Sequence, residues 1–425
     1  MRIKRPKFNW RPFSHKQKQI LTWWNENSAV KDKEGIIADG AIRSGKTVSM
    51  SFSYVMWAME TFRGQNFGMA GKTIGSFRRN VLFWLKLMLV SRGYKVKDAR
   101  ADNMVTVTKK GVENYFYIFG GKDERSQDLI QGITLAGMFF DEVALMPASF
   151  VNQATGRCSV DGSKFWFNCN PDGPYHWFKT EWIDKVKEKQ LLHLHFTMDD
   201  NLSLSERIKE RYRSMYSGVF YKRYILGLWA MAEGVIYDMF DEVQNVIQTG
   251  MLPTSFPKYY VGVDYGHTNA TVFLLFGQLD NKLYLIKEYY HSGADASGEA
   301  RAPSDYARDF VEFIAGFDVK KIFIDPSAKG FITELKKMGV RRIEEADNAV
   351  LPGIESVAVA LKEQQLFVSA LCTETIKEFF SYIWDVKASQ RGDDKPIKQN
   401  DHAMDALRYV IYNLLGKPRR SKFIV

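Results

Sequence analysis

A chain of 425 residues with 45% hydrophobic, 14% aromatic and 25% charged residues has the composition of a folded globular protein, which excludes a disordered or low-complexity chain. At about 150 residues per domain, the length predicts two or three domains. Lysine and arginine number 59 and the acids 49, giving a net charge of +10 that invites a nucleic-acid reading. The excess, however, sits at the ends. Met1–Lys18 holds Arg2, Lys4, Arg5, Lys7, Arg11, Lys16 and Lys18 with no acid, and the last ten residues add Lys417, Arg419, Arg420 and Lys422. Without these eleven, 48 basic residues face 49 acidic ones, so the body is close to neutral.

Three scattered cysteines, Cys158, Cys169 and Cys372, form neither a disulfide framework nor a C-x-x-C metal pair. The basic N-terminus is not followed by the apolar stretch of a signal peptide. The most apolar run, Val81–Val90, is interrupted by Lys86 and is too short to span a bilayer. These features predict a soluble, intracellular protein without a membrane partner.

In chain order, His15–Asn25 reads as a helix through Ile20, Leu21, Trp23 and Trp24. An apolar strand at Gly35–Ala38 runs into a glycine-rich loop, and Val48–Thr61 continues as a helix without a breaker. A strand at Phe67–Ala70 and a helix near Phe77–Val90 follow, then alternating strands at Met104–Thr108 and Tyr115–Phe119. Gly137–Phe140 and Lys164–Cys169 read as buried strands. Strands alternating with helices predict a mostly parallel sheet covered on both faces. Ser203–Trp229, rich in Arg, Lys and Tyr, reads as helical, and two prolines in Gly250–Pro257 mark a domain boundary. A second strand-rich pattern then opens with Tyr259–Asp264, Ala270–Phe276 and Lys282–Tyr290. A helix near Ser304–Ala315, the strand Lys321–Asp325 and further helices close the chain.

The loop Gly40-Ala41-Ile42-Arg43-Ser44-Gly45-Lys46-Thr47 matches G-x-x-x-x-G-K-[ST] at every fixed position. Glycines there let backbone N–H groups turn inward around phosphate oxygens, Lys46 supplies a point charge, and Thr47 offers a hydroxyl to Mg²⁺. Nucleotide hydrolysis also needs an acid to hold the metal and a base for the attacking water. The run Gly137–Phe140 delivers Asp141 and Glu142 at a strand end, the first as metal acid and the second as candidate base. Arg43, inside the loop, can touch the γ-phosphate, a neighbouring subunit or an internal acid.

In the second half, two strands end in acids, Asp264 and Asp325. Such acids are costly next to a buried strand unless they meet a cation or a donor. A third acidic group comes from Asp401–Leu415, whose Ala403, Leu407, Val410, Ile411 and Leu414 form one helical stripe. Asp401, His402 and Asp405 share an adjacent face. Three carboxylates from separate elements suit two-metal hydrolysis of a phosphodiester. Each acid alone is more often a turn former or a cap, and Glu288 is a fourth candidate.

Taken in order, these features resemble the large terminase subunit of tailed double-stranded DNA bacteriophages, in the prophage-like branch. Gly40–Thr47 corresponds to Walker A, Gly137–Glu142 to Walker B, and Phe167-Asn168-Cys169-Asn170-Pro171 to the coupling motif. Gly227-Leu228-Trp229 and Glu233–Tyr237 precede the linker, and Asp264, Asp325 and the Asp401–Tyr409 helix complete a set spanning nearly the whole chain. The resemblance implies an α/β architecture. It consists of an N-terminal P-loop, RecA-like ATPase domain over 1–240 (with a helical subdomain near 175–240), a linker over 241–257, and an RNase H-like nuclease domain over 258–425.

The resemblance also implies ATP with Mg²⁺ at Gly40, Arg43, Ser44, Gly45, Lys46, Thr47, Asp141 and Asn170. Gln17 or Gln19 would lie on the adenine side, and Asn168 with Asn170 would sense the γ-phosphate. At the second site it implies Mg²⁺ or Mn²⁺, two ions, held by Asp264, Asp325, His402 and Asp405, because the family pattern His-x-x-Asp-Ala falls on His402 and Asp405. Catalysis would then rest on Glu142, Asp264, Asp325 and Asp405. Implied partners are double-stranded DNA, the portal of a procapsid, a small terminase subunit and further copies in a ring, in the host cytoplasm. A trans-acting arginine would be Arg43, Arg78, Arg79 or Arg125, and Lys329, Lys395 and Lys398 are candidate DNA contacts.

The leading expectation is an ATP-driven DNA translocase carrying a metal-dependent endonuclease. A helicase-like ATPase whose second domain only binds nucleic acid is the alternative, and it has no need of three convergent acids. A structural protein of the virion conflicts with both sites.

Overall fold

The computed structural model describes residues 8–266, 270–292, 301–399 and 401–416. Two compact units emerge. The first comprises 1–212, 221–231 and 390–392, and the second 213–220, 232–389 and 393–425.

The first unit is built on an eight-stranded sheet in the order β3-β4-β5-β2-β6-β7-β1-β8. Its strands are β1 (Gly35–Gly40), β2 (Asn66–Gly71), β3 (Lys95–Ala99), β4 (Met104–Lys109), β5 (Val112–Gly120), β6 (Gly137–Phe140), β7 (Lys164–Asn168) and β8 (Leu191–Phe196). From β5 to β8 all neighbours run parallel, and β3 and β4 add an antiparallel edge. Successive residues in a strand face opposite sides, and the core divides accordingly. Ile36, Phe139 and Trp166 pack into one buried cluster, Ile37, Phe140 and Phe167 into the other. Helix α1 spans His15–Thr22, and α2 spans Lys46–Thr61, directly behind the glycine-rich loop.

The second unit holds a seven-stranded sheet in the order β14-β13-β10-β11-β12-β15-β9. These are β9 (Val246–Ile247), β10 (Lys258–Asp264), β11 (Thr271–Leu279), β12 (Lys282–His291), β13 (Val319–Ile324), β14 (Ile343–Glu345) and β15 (Leu366–Ser369). Three antiparallel strands, β10 to β12, are flanked by parallel β13 and β14 on the β10 side, the RNase H-like arrangement. Val261, Val263, Phe273 and Ile324 pack against the helices Pro303–Phe313 and Lys329–Lys337. On the opposite face the helix His402–Ile411 lies so close that a Cβ on Gly262 would sit 2.2 Å from the Ala406 carbonyl oxygen. Glycine is what lets the helix reach the end of β10.

Two expectations change. The predicted helix over 203–229 is broken in two, Glu206–Met215 and a second helical stretch in which Gly218–Phe220 runs on into the wider-wound Tyr221–Ile225, because Gly218 and Gly227 adopt left-handed φ values of 53° and 73°. The linker expected at 241–257 lies inside the second unit: Val246–Ile247 pairs with β15, and the stretch 221–231 of the first unit gives way to the second at Ala232. Cys158, Cys169 and Cys372 are free thiols. Among the described residues, no helix is long and apolar enough to cross a membrane. The terminal lysines and arginines from 417 onward, and Arg2 to Lys7, lie outside the described residues.

Candidate functional site

The glycine-rich loop leaves β1 at a fully buried strand end. At Gly40 (φ 125°) a Cβ would meet the Phe196 carbonyl oxygen at 2.0 Å, so the loop starts where only glycine fits against β8. Arg43 (φ 58°) and Glu142 (φ 58°) are left-handed although neither is glycine, strain of a kind that gathers at ligand-handling turns. Lys46 Nζ folds back into the loop, donating to Gly40 O (3.0 Å), Ala41 O (2.7 Å), Ser44 Oγ (3.2 Å) and Asn170 Oδ1 (3.2 Å). Burial pushes its pKa down to about 8 against the pull of nearby carboxylates.

Parallel β6 and β7 carry the Walker B acids and the coupling asparagines beside the loop. Thr47 Oγ1 donates to Asp141 Oδ1 at 3.0 Å, and Asn168 Nδ2 donates to the same oxygen at 2.9 Å. Asn168 Oδ1 in turn accepts the Glu142 N–H at 3.0 Å. Burial, with Glu142 nearby, raises Asp141 to about 6, and burial also raises Glu142, with Lys72 and Lys46 opposing. A hydroxyl and a carboxylate in contact at the loop's end suit Mg²⁺ by donor chemistry. Of the two asparagines, Asn170 reaches Lys46 and Asn168 braces the Walker B acids.

Gln17 lies against the loop: a Cβ on Gly45 would sit 2.4 Å from its Nε2, and its Oε1 accepts the Ser14 N–H. Gln19, on the same helix, is exposed. A cavity of about 180 Å³ beside Gln17 and Gly45 is walled by Phe8, Trp10, Phe13 and Val48, the apolar lining a base needs. Among the arginine candidates, Arg78 is taken up by Asp98 at 2.8 Å. Arg43 is exposed with its guanidinium over the Tyr212 ring at 5.3 Å, and Arg79 and Arg125 are exposed.

Sequence reasoning missed Asp39, one residue before the loop. It is 2% exposed and bonded to His193 Nε2 (2.8 Å), His195 Nδ1 (3.1 Å) and Trp229 Nε1 (2.7 Å). Burial works against its ionisation, but these donors hold it well below the usual carboxylate range. Trp229, in the Gly227-Leu228-Trp229 motif, thereby anchors the end of the first unit to the strand that feeds the loop. The signal was an acid inside an apolar strand, which requires donors wherever it is buried.

In the second unit, Val263 pairs with Ile324, so Asp264 and Asp325 leave neighbouring parallel strands side by side. His402 Nδ1 lies 2.8 Å from Asp264 Oδ2, and that contact raises the His402 pKa. Burial raises Asp264, with Asp405 and Asp401 adding to it and His402 opposing. Asp405, 7% exposed, meets Arg408 Nη2 at 2.7 Å through one oxygen and Lys398 Nζ at 3.1 Å through the other. Lys398 also lies 3.0 Å from Asp401 Oδ2. A cavity of about 560 Å³ brings together Asp264, Tyr290, Lys398, Asp401, His402 and Asp405.

Asp325 is not in that lining. It accepts from Ser327 N (2.7 Å), Asn348 Nδ2 (3.0 Å) and Tyr409 OH (3.1 Å), which outweigh burial and keep its pKa low. The donor set suits a hard divalent cation in kind: three carboxylates share the cavity, and Asp401 Oδ2 is buried with the Lys398 ammonium beside it but without an aligned hydrogen bond. In arrangement, no group of three or more His, Cys, Asp and Glu side chains stands ready to ligate among the described residues. The physical reason is that Asp405 is neutralised by Lys398 and Arg408, and Asp325 is occupied by three donors.

Two acids have supporting roles. Glu288 accepts from Glu374 N, Thr375 N and Thr375 Oγ1, so it caps the helix Thr373–Ser381. Glu378, on that helix and 4% exposed, accepts from Ala403 N (2.8 Å), Met404 N (3.0 Å) and Tyr290 OH (3.0 Å). It thereby fixes the start of the helix carrying His402 and Asp405. Lys395 pairs with Asp393 at 3.1 Å, and Lys329 is exposed.

A phosphate loop with its Walker B acids in one unit and strand-end acids in another define an α/β protein of the terminase type. Residues 37–244 match the family described as terminase large subunit, T4likevirus-type, N-terminal. The chain is similar to the large terminase of a thermophilic bacteriophage, at 59% identity with a TM-score of 0.90, covering 95% of this chain and 100% of that one. The same phage protein solved in complex with ADP matches at 59% identity and a TM-score of 0.86, covering 95% and 100%. Its complex with ATP-γ-S matches at 58% and 0.85, covering 94% and 99%. No curated protein matches the sequence. The chain belongs to the large terminase subunit family.

Proposed function

We propose that this chain is an ATP-driven motor that moves double-stranded DNA into a procapsid and cuts the concatemer with a metal-dependent nuclease. The carrying observation is the Thr47–Asp141–Asn168 cluster at the end of the phosphate loop. The complexes of the thermophilic phage terminase with ADP and ATP-γ-S support nucleotide as the ligand.

In this reading the loop amides and Lys46 hold the phosphates, Gln17 and the aromatic cavity take the base, and Thr47 with Asp141 hold Mg²⁺. Glu142 orients the attacking water, and Asn168 keeps both acids in register. At the second site Asp264, Asp325, His402 and Asp405 would hold Mg²⁺ or Mn²⁺. When bound, that ion supplies an activated water and a Lewis acid for the leaving oxygen. Asp401 flanks the same cavity. The portal, the small subunit, further copies in a ring and residence in the host cytoplasm belong to the same proposal.

One observation favours the alternative of a second unit that only binds nucleic acid: the self-neutralised Asp405. Incubating the full chain with supercoiled plasmid and Mn²⁺ separates the two. Conversion to open or linear forms, lost in Asp264→Asn, supports the nuclease; intact plasmid across metals and pH refutes it.

A further inference from the structure

The two cations on Asp405 differ in how firmly they are held. Arg408 is 2% exposed, and its Nη1 is fixed by the carbonyl oxygens of Asn348 (2.7 Å) and Ala349 (3.2 Å). It is a permanent counterion of the buried carboxylate, and removing it would strand a charge. The Lys398 side chain is 66% exposed, yet its ammonium reaches in to lie between Asp401 and Asp405, whose side chains are 6% and 10% exposed. The Lys398 ammonium has solvent to move into, but leaving strands the charge of Asp401, so it departs only when another cation takes its place.

We propose that Lys398 is the resident cation of this site, competing with a divalent cation for Asp405, one of the side chains that would hold it, and for the neighbouring Asp401. The inference rests on reading the second unit as a metal-dependent nuclease, and it concerns what keeps that nuclease silent. Both acids reached by Lys398 line the cavity shared with Asp264 and His402. An ammonium between two buried carboxylates compensates them by charge, with a hydrogen bond to Asp405 and none to Asp401 Oδ2, but it carries half the charge of a divalent cation and no Lewis acidity. With a divalent cation among the same oxygens, the ammonium is repelled at close range and moves to the rim. There it is a free point charge for a phosphate. Asp401 and Asp405 are thereby compensated when no metal is present, and a metal reaches them by displacing Lys398.

Calorimetric titration of Mn²⁺ into the full chain without nucleotide or DNA tests this, with Asp264→Asn identifying the heat that belongs to this site. Lys398→Ala and Lys398→Gln are expected to tighten the Asp264-dependent Mn²⁺ affinity about tenfold. Circular-dichroism melts establish that both variants fold, and Gln keeps much of the length and polarity of the side chain. An affinity unchanged or weakened in both variants overturns the role of Lys398 and leaves the nuclease reading standing. If neither the wild type nor the variants bind Mn²⁺ through Asp264, the metal-site reading falls and takes the inference with it. Binding seen only in the variants supports the inference in its strongest form.

Discussion

At the phosphate loop the buried acid Asp141 is bonded to neutral donors, Thr47 and Asn168. At the second site the buried acid Asp405 is bonded to charged ones, Arg408 and Lys398. One carboxylate follows a strand end and the other sits in the first turn of a helix, and both need compensation for burial. A neutral hydroxyl such as that of Thr47 can turn from donating to Asp141 to ligating a metal without any charge leaving the site. A lysine ammonium cannot, because like charges at contact distance repel by several kcal/mol in a partly dry environment. On the proposed reading, a metal can join the first site without any charge leaving it, whereas at the second it must first displace Lys398 from Asp405.

The largest expected effect tests whether the two sites work independently. Lys46→Ala should lower ATP turnover about a thousandfold, the order lost when a charge-stabilising group leaves a preorganised site. Plasmid cutting in Mn²⁺ should stay near wild type. Turnover measured by phosphate release decides it, and wild-type rates would remove the phosphate loop from the mechanism. The reciprocal change, Asp264→Asn, should cut nuclease activity by more than about a hundredfold, beyond what loss of an outer hydrogen-bond partner costs. ATP turnover should be preserved. A gel assay showing full cutting would move the nuclease site elsewhere in the second unit.

A smaller effect is expected from Asn168→Ala. It leaves Asp141 and the Glu142 amide without the side chain that joins them, at a cost of about 1–3 kcal/mol for the unsatisfied groups. ATP turnover should fall by about tenfold to a hundredfold, the rate equivalent of that cost, with nucleotide affinity nearly unchanged, because Lys46 and the loop amides remain. A rise in the nucleotide Kd with kcat intact would reassign Asn168 to ligand binding and take the neutral brace of Asp141 out of the catalytic step.

How much of this was legible in the chain follows the range of the interactions. The loop, β6 and the acids at 141, 142, 264 and 325 were readable because each combines a local apolar run with its terminating residue. The stripe Ala403, Leu407, Val410 and Ile411 was readable from helical periodicity, but every residue from Ala403 to Ile411 is buried, and its last expected member, Leu414, lies past the helix and is half-buried. The partners of Asp39 lie 154, 156 and 190 residues away, and no local pattern joins them. β3 reads Lys-Val-Lys-Asp-Ala and lacks the apolar content that marks a strand; its edge position explains this. The helix expected over 203–229 is interrupted rather than absent: its charged and aromatic residues keep helical spacing over 206–215 and 218–225, while Gly218 and Gly227 turn the chain. Glu288 looked like a metal acid because it lies on a strand near two others; only the fold reveals the helix end it caps.

The smallest effect separates the supports of the two sites. Asn168 braces its acids with an amide that does not titrate, whereas Glu378 braces the helix start at His402 with a carboxyl that does. Burial raises Glu378 to about 7, opposed by the Met404 N–H, the Tyr290 hydroxyl and the Ala403 N–H. A carboxyl whose folded pKa exceeds its unfolded value binds its proton more tightly in the folded state, so stability falls as pH rises from the unfolded pKa to the folded one. Between about pH 4.5 and 7 the loss from this one group is on the order of 2–3 kcal/mol, or about 5 °C in melting temperature for a unit of this size. Burial likewise raises Glu355 to about 7, against a hydrogen bond from Tyr216, so the slope of the second unit is shared. Glu378→Gln mimics the protonated side chain, so its melting temperature in chelator should match the wild type near pH 5 and exceed it near pH 7.5. Superimposable melting-temperature profiles would mean that Glu378 stays ionised and bonded to the helix end across this range. The second site would then rest on a support as insensitive to pH as Asn168 is at the first.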